Sequence, residues 1–280
     1  MIDEAVKRRI ENEADTLPVL PRAVGRVIEL ISDPGVSAEA VAQVVVGDVA
    51  LAAKVLRLAN STYYGFPRRV GSIREAVIIL GTRALREVVM AAGAHGFLSR
   101  ELPGYMLKAG QLWQHSICAA MAAARLATRT TLVEEGDAFT AGLVHDVGKL
   151  VLAKHVGERY QEVLRGEEGL PFLEIERRLF GTDHAEVGAM IARRWSLPGR
   201  LEEAIASHHD PGQARLEPAL AALTHVADWV AMMLGQGVGA DGLAYRFDPA
   251  AISSLGLDEA EILRVAGEVA DLSGSIPMQI

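Results

Sequence analysis

The chain has 280 residues, half of them hydrophobic, carries a net charge of −8 at neutral pH and contains one cysteine, Cys118. That length and apolar content can bury one sizeable core or two coupled lobes, and the lone cysteine excludes an internal disulfide. The acidic balance argues against a nucleic-acid partner, and no apolar run reaches the ~20 residues needed to span a membrane.

The segment Met1-Ile-Asp-Glu-Ala-Val-Lys-Arg-Arg9 lacks the apolar stretch of a signal peptide, so the expectation is a protein of the reducing cytoplasm. Val24, Val27, Ile28 and Ile31 recur at helical spacing, entered near Pro21 and stopped at Asp33-Pro34-Gly35. Ser37 reads as the N-cap of the next helix, where Val49, Ala52, Ala53 and Leu56 repeat the spacing until Asn60-Ser61 and Tyr64-Gly65-Phe66-Pro67 break it. Ser72 and Glu75 have capping-box spacing ahead of Ala76, Val77, Ile79 and Leu80. Gly81 separates that helix from another ending near Gly96.

Leu102-Pro103-Gly104 is the expected internal boundary, giving an N-terminal helical lobe over 1–103 and a second lobe over 104–280. In the second lobe the periodicity predicts helices over 105–129, 136–153, 155–165, 171–180, 183–195, 198–208, 215–235 and 257–272. Alternating strand patterns and hairpin turns are absent, so the fold class is all-α. The arginines of the first hundred residues, including Arg68, Arg69 and Arg74, read as a solvated face rather than as a patch for an acidic partner.

The chemistry concentrates in the second lobe. His145-Asp146 lies in the otherwise apolar stretch Ala141-Gly-Leu-Val-His-Asp-Val-Gly-Lys149, and two titratable side chains there require compensation. His115, His184, His208, His209 and Asp228 also fall among small and apolar residues at helical spacing. A lone histidine of this kind is more often a core residue bonded to a carbonyl. A set of them on several helices favours one metal centre, and its mixed nitrogen and oxygen donors suit iron, manganese, zinc or nickel. Lys149 is a natural phosphate contact or a side chain that snorkels to solvent. Asp183 and Glu186 read as an N-cap and an exposed helix charge in preference to groups that orient the ligands. Cys118 reads as a core residue, and Tyr63, Tyr64 and Phe66 as packing beneath a loop.

The pattern His115, His145-Asp146, Asp228 resembles the signature of the HD superfamily of metal-dependent phosphohydrolases. His184 and His208-His209 match the added ligands of its two-metal branches, which implies one or two divalent ions. A closer resemblance, over Leu17 to about Asp228, is to the HDOD domain. It is carried by Leu17-Pro18-Val-Leu-Pro21, Asp33-Pro34, Leu58-Ala-Asn60-Ser61, Tyr64-Gly65 and Leu80-Gly81, then by the His145-Asp146 stretch, Asp183-His184-Ala-Glu186-Val-Gly188, Trp195-Ser-Leu197-Pro198 and Ser207-His208-His209. Asp48-Val49 stands where that family often has Asp-Pro.

The resemblance implies a two-lobed HDOD fold with an HD-like metal-capable lobe, acting as a bacterial signal-transduction module through signalling-protein partners. The residues also admit a metal-dependent phosphohydrolase of a nucleotide or related phosphoester, or a metal-stabilised scaffold, so enzymatic activity stays open. His208-His209-Asp210-Pro211-Gly212-Gln213 lacks the Gly-Tyr-Pro triplet of the related cyclic di-GMP phosphodiesterases, which argues against that activity. An open metal position beside a cleft would distinguish an enzyme from a scaffold.

Overall fold

The computed structural model describes residues 4–14, 20–31, 33, 35–61, 63–66, 68–156, 170–239 and 246–273. The described residues form helices, and the nearest approach to a sheet is the isolated bridge between Leu102 and Leu107. The helices are α1 (Glu4–Ala14), α2 (Arg22–Ile31), α3 (Ala38–Val46), α4 (Val49–Ala59), α5 (Ile73–Leu98), α6 (Gln111–Thr130) and α7 (Glu135–Val144). They continue with α8 (residues 149–156), α9 (Phe172–Phe180), α10 (His184–Arg194), α11 (Gly199–Ala206), α12 (Pro218–Met233), α13 (Pro249–Ser254) and α14 (Glu259–Ser273).

Local signals set the starts of these helices. The Ser37 hydroxyl accepts from Ala40 N at 3.1 Å and opens α3. The single helix read between Ser37 and Asn60 is instead two, because the Asp48 carboxylate accepts from Leu51 N at 3.0 Å and starts α4 afresh. Ser72 caps α5 by accepting from Glu75 N at 3.1 Å. The Glu75 carboxylate reaches back one residue further than the box requires, to Gly71 N at 2.9 Å. Inside α5, Gly81 has φ 69°, and this left-handed residue kinks the helix where the sequence suggested a break.

α2, α3 and α4 pack on α5, and α5 in turn meets α6 and α7. α6 touches α5, α7, α12 and α14, and most of its residues are buried. One continuous hydrophobic core runs from Ile10 to Val269, with Trp113, Tyr105, Phe139 and Phe180 among its largest fully buried side chains. α1 lies against α9 and α10, so the start of the chain braces its distal half.

Three expectations change. The helix drawn over 136–153 stops at Val144, turns through 145–148 and restarts at 149. The helix drawn from 105 begins at Gln111, after a 3-10 turn over Pro103–Tyr105. α1 and α13 were not anticipated, since Glu4–Ala14 has a charged face and α13 spans only six residues. The helix expected over 155–165 lies outside the described residues beyond 156, as do Leu17-Pro18 and Pro34.

Candidate metal centre

The structure gathers all seven candidate ligands. α6 presents His115, the turn after α7 presents His145 and Asp146, the first residue of α10 is His184, the turn after α11 holds His208 and His209, and α12 carries Asp228. All are buried except His209, which is half-buried.

His115, His145, His184 and His208 are held by their Nδ1 atoms, which leaves their Nε2 atoms to the cluster. Nδ1 of His145 donates to Gly142 O at 2.8 Å, that of His208 to Ile205 O at 2.7 Å, and that of His115 to Gln236 O at 3.0 Å. Nδ1 of His184 meets the Glu176 carboxylate at 2.7 Å. A donor bond of this kind fixes the tautomer and leaves Nε2 as a ligand atom.

Asp146 stands between two groups. Its Oδ2 is 3.6 Å from His115 Nε2 and 3.4 Å from His145 Nε2, and its Oδ1 is 3.4 Å from His184 Nε2 and 3.9 Å from His208 Nε2. Asp228 Oδ1 lies 3.0 Å from His115 Nε2 and 3.6 Å from His145 Nε2.

These residues fit a divalent metal. His184 and His209 bring two Nε2 atoms to 2.8 Å, and His115 and His145 bring theirs to 3.3 Å. Each pair is at hydrogen-bonding distance without an ion, and two nitrogens sharing one ion at ~2.1 Å each are likewise spaced about 3 Å apart. His208 Nε2 is buried and has no hydrogen-bond partner, an orphan that a coordinate bond would satisfy. Donor atoms drawn from His115, His145 and Asp146, from His145, His208 and Asp228, and from His184, His208 and His209 each fall within 4.8 Å of one another. The two ends of the cluster share the Asp146 carboxylate.

The electrostatics show what the metal-free cluster does in its place. Burial disfavours the His145 imidazolium, but Asp146 and then Asp228 outweigh it and lift the pKa to about 10. Burial likewise opposes ionisation of Asp146 and Asp228. For Asp146 it is overcome by Lys149 and His145, for Asp228 by hydrogen bonds from His115 and His145, and both stay well below the usual carboxylate range. His208 and His209 are held well below the ordinary imidazole value, first by burial and then by neighbouring histidines. His208 and His209 beside ionised carboxylates are thus in the forms a cation needs, whereas His145, and His184 which Glu176 raises against its burial, would give up a proton to bind one.

Lys149 is neither solvent-seeking nor free. It is buried, with Nζ 2.5 Å from Asp146 Oδ2 and 5.8 Å from the centre of the Tyr105 ring. Asp183 accepts from Glu186 N at 2.8 Å as the cap of α10 and pairs with Arg177 at 2.6 Å, while Glu186 is exposed.

The carboxylate that orients a ligand is Glu176, which sequence reasoning missed. Its Oε2 accepts from His184 N at 2.8 Å as well as from the ring, and its Oε1 accepts from Tyr105 OH at 2.6 Å. Its spacing was the available signal, because Phe172, Glu176 and Phe180 share one buried face of α9. His225 also acts as a support: Nδ1 donates to His208 O at 2.7 Å and Nε2 accepts from Asp248 N at 2.9 Å. Cys118 is buried and free, as expected, and burial pushes its thiol up to about 12.

A cavity of about 470 Å³ opens onto this centre. His184, His209 and Asp228 line it together with the cations Lys149, Arg177 and Arg246, the carboxylates Glu174 and Asp210, and the apolar side chains of Phe172 and Met232. No helix among the described residues is long and apolar enough to cross a membrane.

The chain resembles known proteins over most of its length. A Treponema pallidum (strain Nichols) protein is 29% identical over 206 residues, which span 72% of this chain and 39% of that protein. An HDOD domain protein from Geobacter sulfurreducens, 28% identical, superposes with TM-score 0.73 over 96% of this chain and 99% of its own. A Shewanella amazonensis SB2B protein provisionally described as a phosphohydrolase is 25% identical, with TM-score 0.72 over 95% and 94% of the two chains. A Marinobacter aquaeolei VT8 protein provisionally described as acting in signal transduction is 25% identical, with TM-score 0.73 over 97% of this chain and 64% of its own. The HDOD domain model matches residues 17–211, the stretch that supplies six of the seven converging candidate ligands, and the chain therefore belongs to the HDOD family.

Proposed function

We propose that the chain is a metal-dependent phosphohydrolase acting on a small phosphoester, used in a regulatory setting. The observation that carries this reading is the cavity of about 470 Å³ in which the ligand cluster meets Lys149, Arg177 and Arg246. A buried scaffold metal needs no such opening, whereas a phosphoester needs both an exposed metal position and cationic contacts.

His115, His145, Asp146 and Asp228 would hold one divalent ion, and His184, His208 and His209 with the other oxygen of Asp146 a second. When bound, such an ion lowers the pKa of a coordinated water and polarises a phosphoryl oxygen. The chain's own residues do the rest. Lys149 and Arg177 flank the cavity as phosphate contacts, Phe172 and Met232 exclude water from one wall, and Glu176 fixes the His184 ring.

The test is turnover of bis(p-nitrophenyl) phosphate by protein loaded separately with manganese, iron, zinc and nickel, with Asp146→Asn as control. Metal-dependent release of nitrophenol that Asp146→Asn abolishes supports the reading, and its absence with every metal refutes it. Cyclic di-GMP is expected to survive the same assay, since the stretch from His208 to Gln213 lacks the Gly-Tyr-Pro triplet of the active relatives.

One observation favours a second reading, in which the protein is a signalling module that works through protein partners without turnover. Lys149 already neutralises Asp146 at 2.5 Å, so the cluster has an internal cation of its own. Under either reading the division into an N-terminal lobe (1–103) and an HD-like lobe (104–280) is proposed as the functional partition, and the cytoplasm as the location.

A further inference from the structure

Lys149 opens α8 directly after the turn that carries His145 and Asp146. Its N–H donates to Asp146 O at 3.0 Å, and its side chain folds back over the same residue. Lys149 is 4% exposed, with Nζ 2.5 Å from Asp146 Oδ2. The oxygen that carries the ammonium is also the one that faces His115 and His145, at 3.6 and 3.4 Å, whereas Oδ1 faces His184 and His208 at 3.4 and 3.9 Å. The Lys149–Asp146 bond therefore falls on the half of the cluster that Asp228 completes, where Asp228 Oδ1 lies 3.0 Å from His115 Nε2.

A lysine in this place works against a metal ion there. Its N–H takes up one of the lone pairs of Oδ2. An ion held by His115, His145 and Oδ2 at ~2.1 Å would stand less than about 5 Å from Nζ, and two cations that close repel strongly where the side chains between them are buried. A counter-charge that merely kept Asp146 in position would act in the opposite sense, because without it the carboxylate would lose its placement and hold an ion less well.

We propose that Lys149 is a tethered competitor of the metal at the end of the cluster formed by His115, His145 and Asp228, where an ion binds only by displacing the Lys149–Asp146 pair. This rests on the reading of the cluster as a metal centre. It makes the two ends unequal by design: a side chain of the chain itself sets how readily one of them fills.

The test is zinc binding to the full chain, measured at one pH by competition with a chromogenic chelator. The parent is expected to bind zinc, and Lys149→Met, which keeps the apolar stem and removes the charge, to bind it about tenfold more tightly or better. Lys149→Arg keeps the charge and should stay near the parent. Lys149→Gln, also uncharged, decides the matter if Lys149→Met fails to fold. The gain should persist alongside His209→Ala and vanish alongside His115→Ala, which would place it at the Oδ2 end. Equal or weaker binding by the uncharged variants, an equal gain in Lys149→Arg, or a gain that survives His115→Ala would overturn the proposal while the metal centre stands. Zinc binding by neither the parent nor any variant would overturn both.

Discussion

Gly148 and His184 touch through their backbones: a Cβ on Gly148 would lie 2.0 Å from His184 O. No side chain fits there, so the His145-Asp146 turn and the start of α10 approach only because residue 148 is glycine. Gly148→Ala is expected to push α10 away, costing about 1–3 kcal/mol or more of stability and weakening metal binding at the same time. A melting curve and the metal content of the purified variant, compared with the parent, check both effects together.

Glu176 grips both the ring and the backbone of His184, so its removal loosens a ligand without deleting one. Glu176→Ala should bind metal about 10–100-fold more weakly, measured by competition with a chromogenic chelator, while the helical circular dichroism is retained. Tyr105→Phe, which removes the bond to Glu176 Oε1, should have a smaller effect in the same direction.

Asp146 stands between both ends of the cluster, and its charge cannot be replaced by an amide. In Asp146→Asn the metal content should fall steeply. The parent should melt higher when metal-loaded than when stripped with chelator, by ~2–4 °C for each kcal/mol of binding free energy, and the variant should show no such gap. A metal-stripped parent as stable as the loaded one would contradict this.

Glu87 has a folded-state pKa of about 7 against an ordinary value of 4.5. A raised carboxyl contributes its full stability below the unfolded value and loses it as pH rises through the folded one. On the order of 3 kcal/mol should therefore disappear between about pH 4.5 and pH 8. Glu87→Gln cannot titrate and should melt higher than the parent at about pH 8, with the difference shrinking toward pH 5. Denaturant titrations at both pH values measure it.

Cys118 should be inert in the native state. With its thiol pushed up to about 12, the thiolate fraction at about pH 8 is on the order of one in ten thousand. An aromatic disulfide reagent should label the native protein far more slowly than the protein unfolded in guanidinium, and equal rates would place Cys118 at the surface.

Much of this was legible in the chain because it was written in short-range terms. Helical spacing, the Ser37 and Ser72 caps and the left-handed Gly81 are local, and each appears where the spacing put it. Five points bearing candidate ligands were visible as polar residues among apolar ones. The break at His145 was not, because periodicity continues through Val147, Leu150 and Val151 while the backbone turns. Glu176 was hidden by an ordinary run of charged residues, Glu174-Ile-Glu176-Arg-Arg178, of which only contact with α10 shows one member to be buried.

α7 is about 15 Å long, and its two ends serve different masters. At its start Glu134, Glu135 and Asp137 are gripped by Arg83 and Arg86 of α5, with Asp137 also held by Arg200, while the turn that follows its end delivers His145 and Asp146. It behaves as a tie rod: the helices of the first hundred residues supply no ligand, yet they hold the far end of the bar on which two ligands are mounted. A partner that shifted α5 would retune the coordination of an ion it never touched.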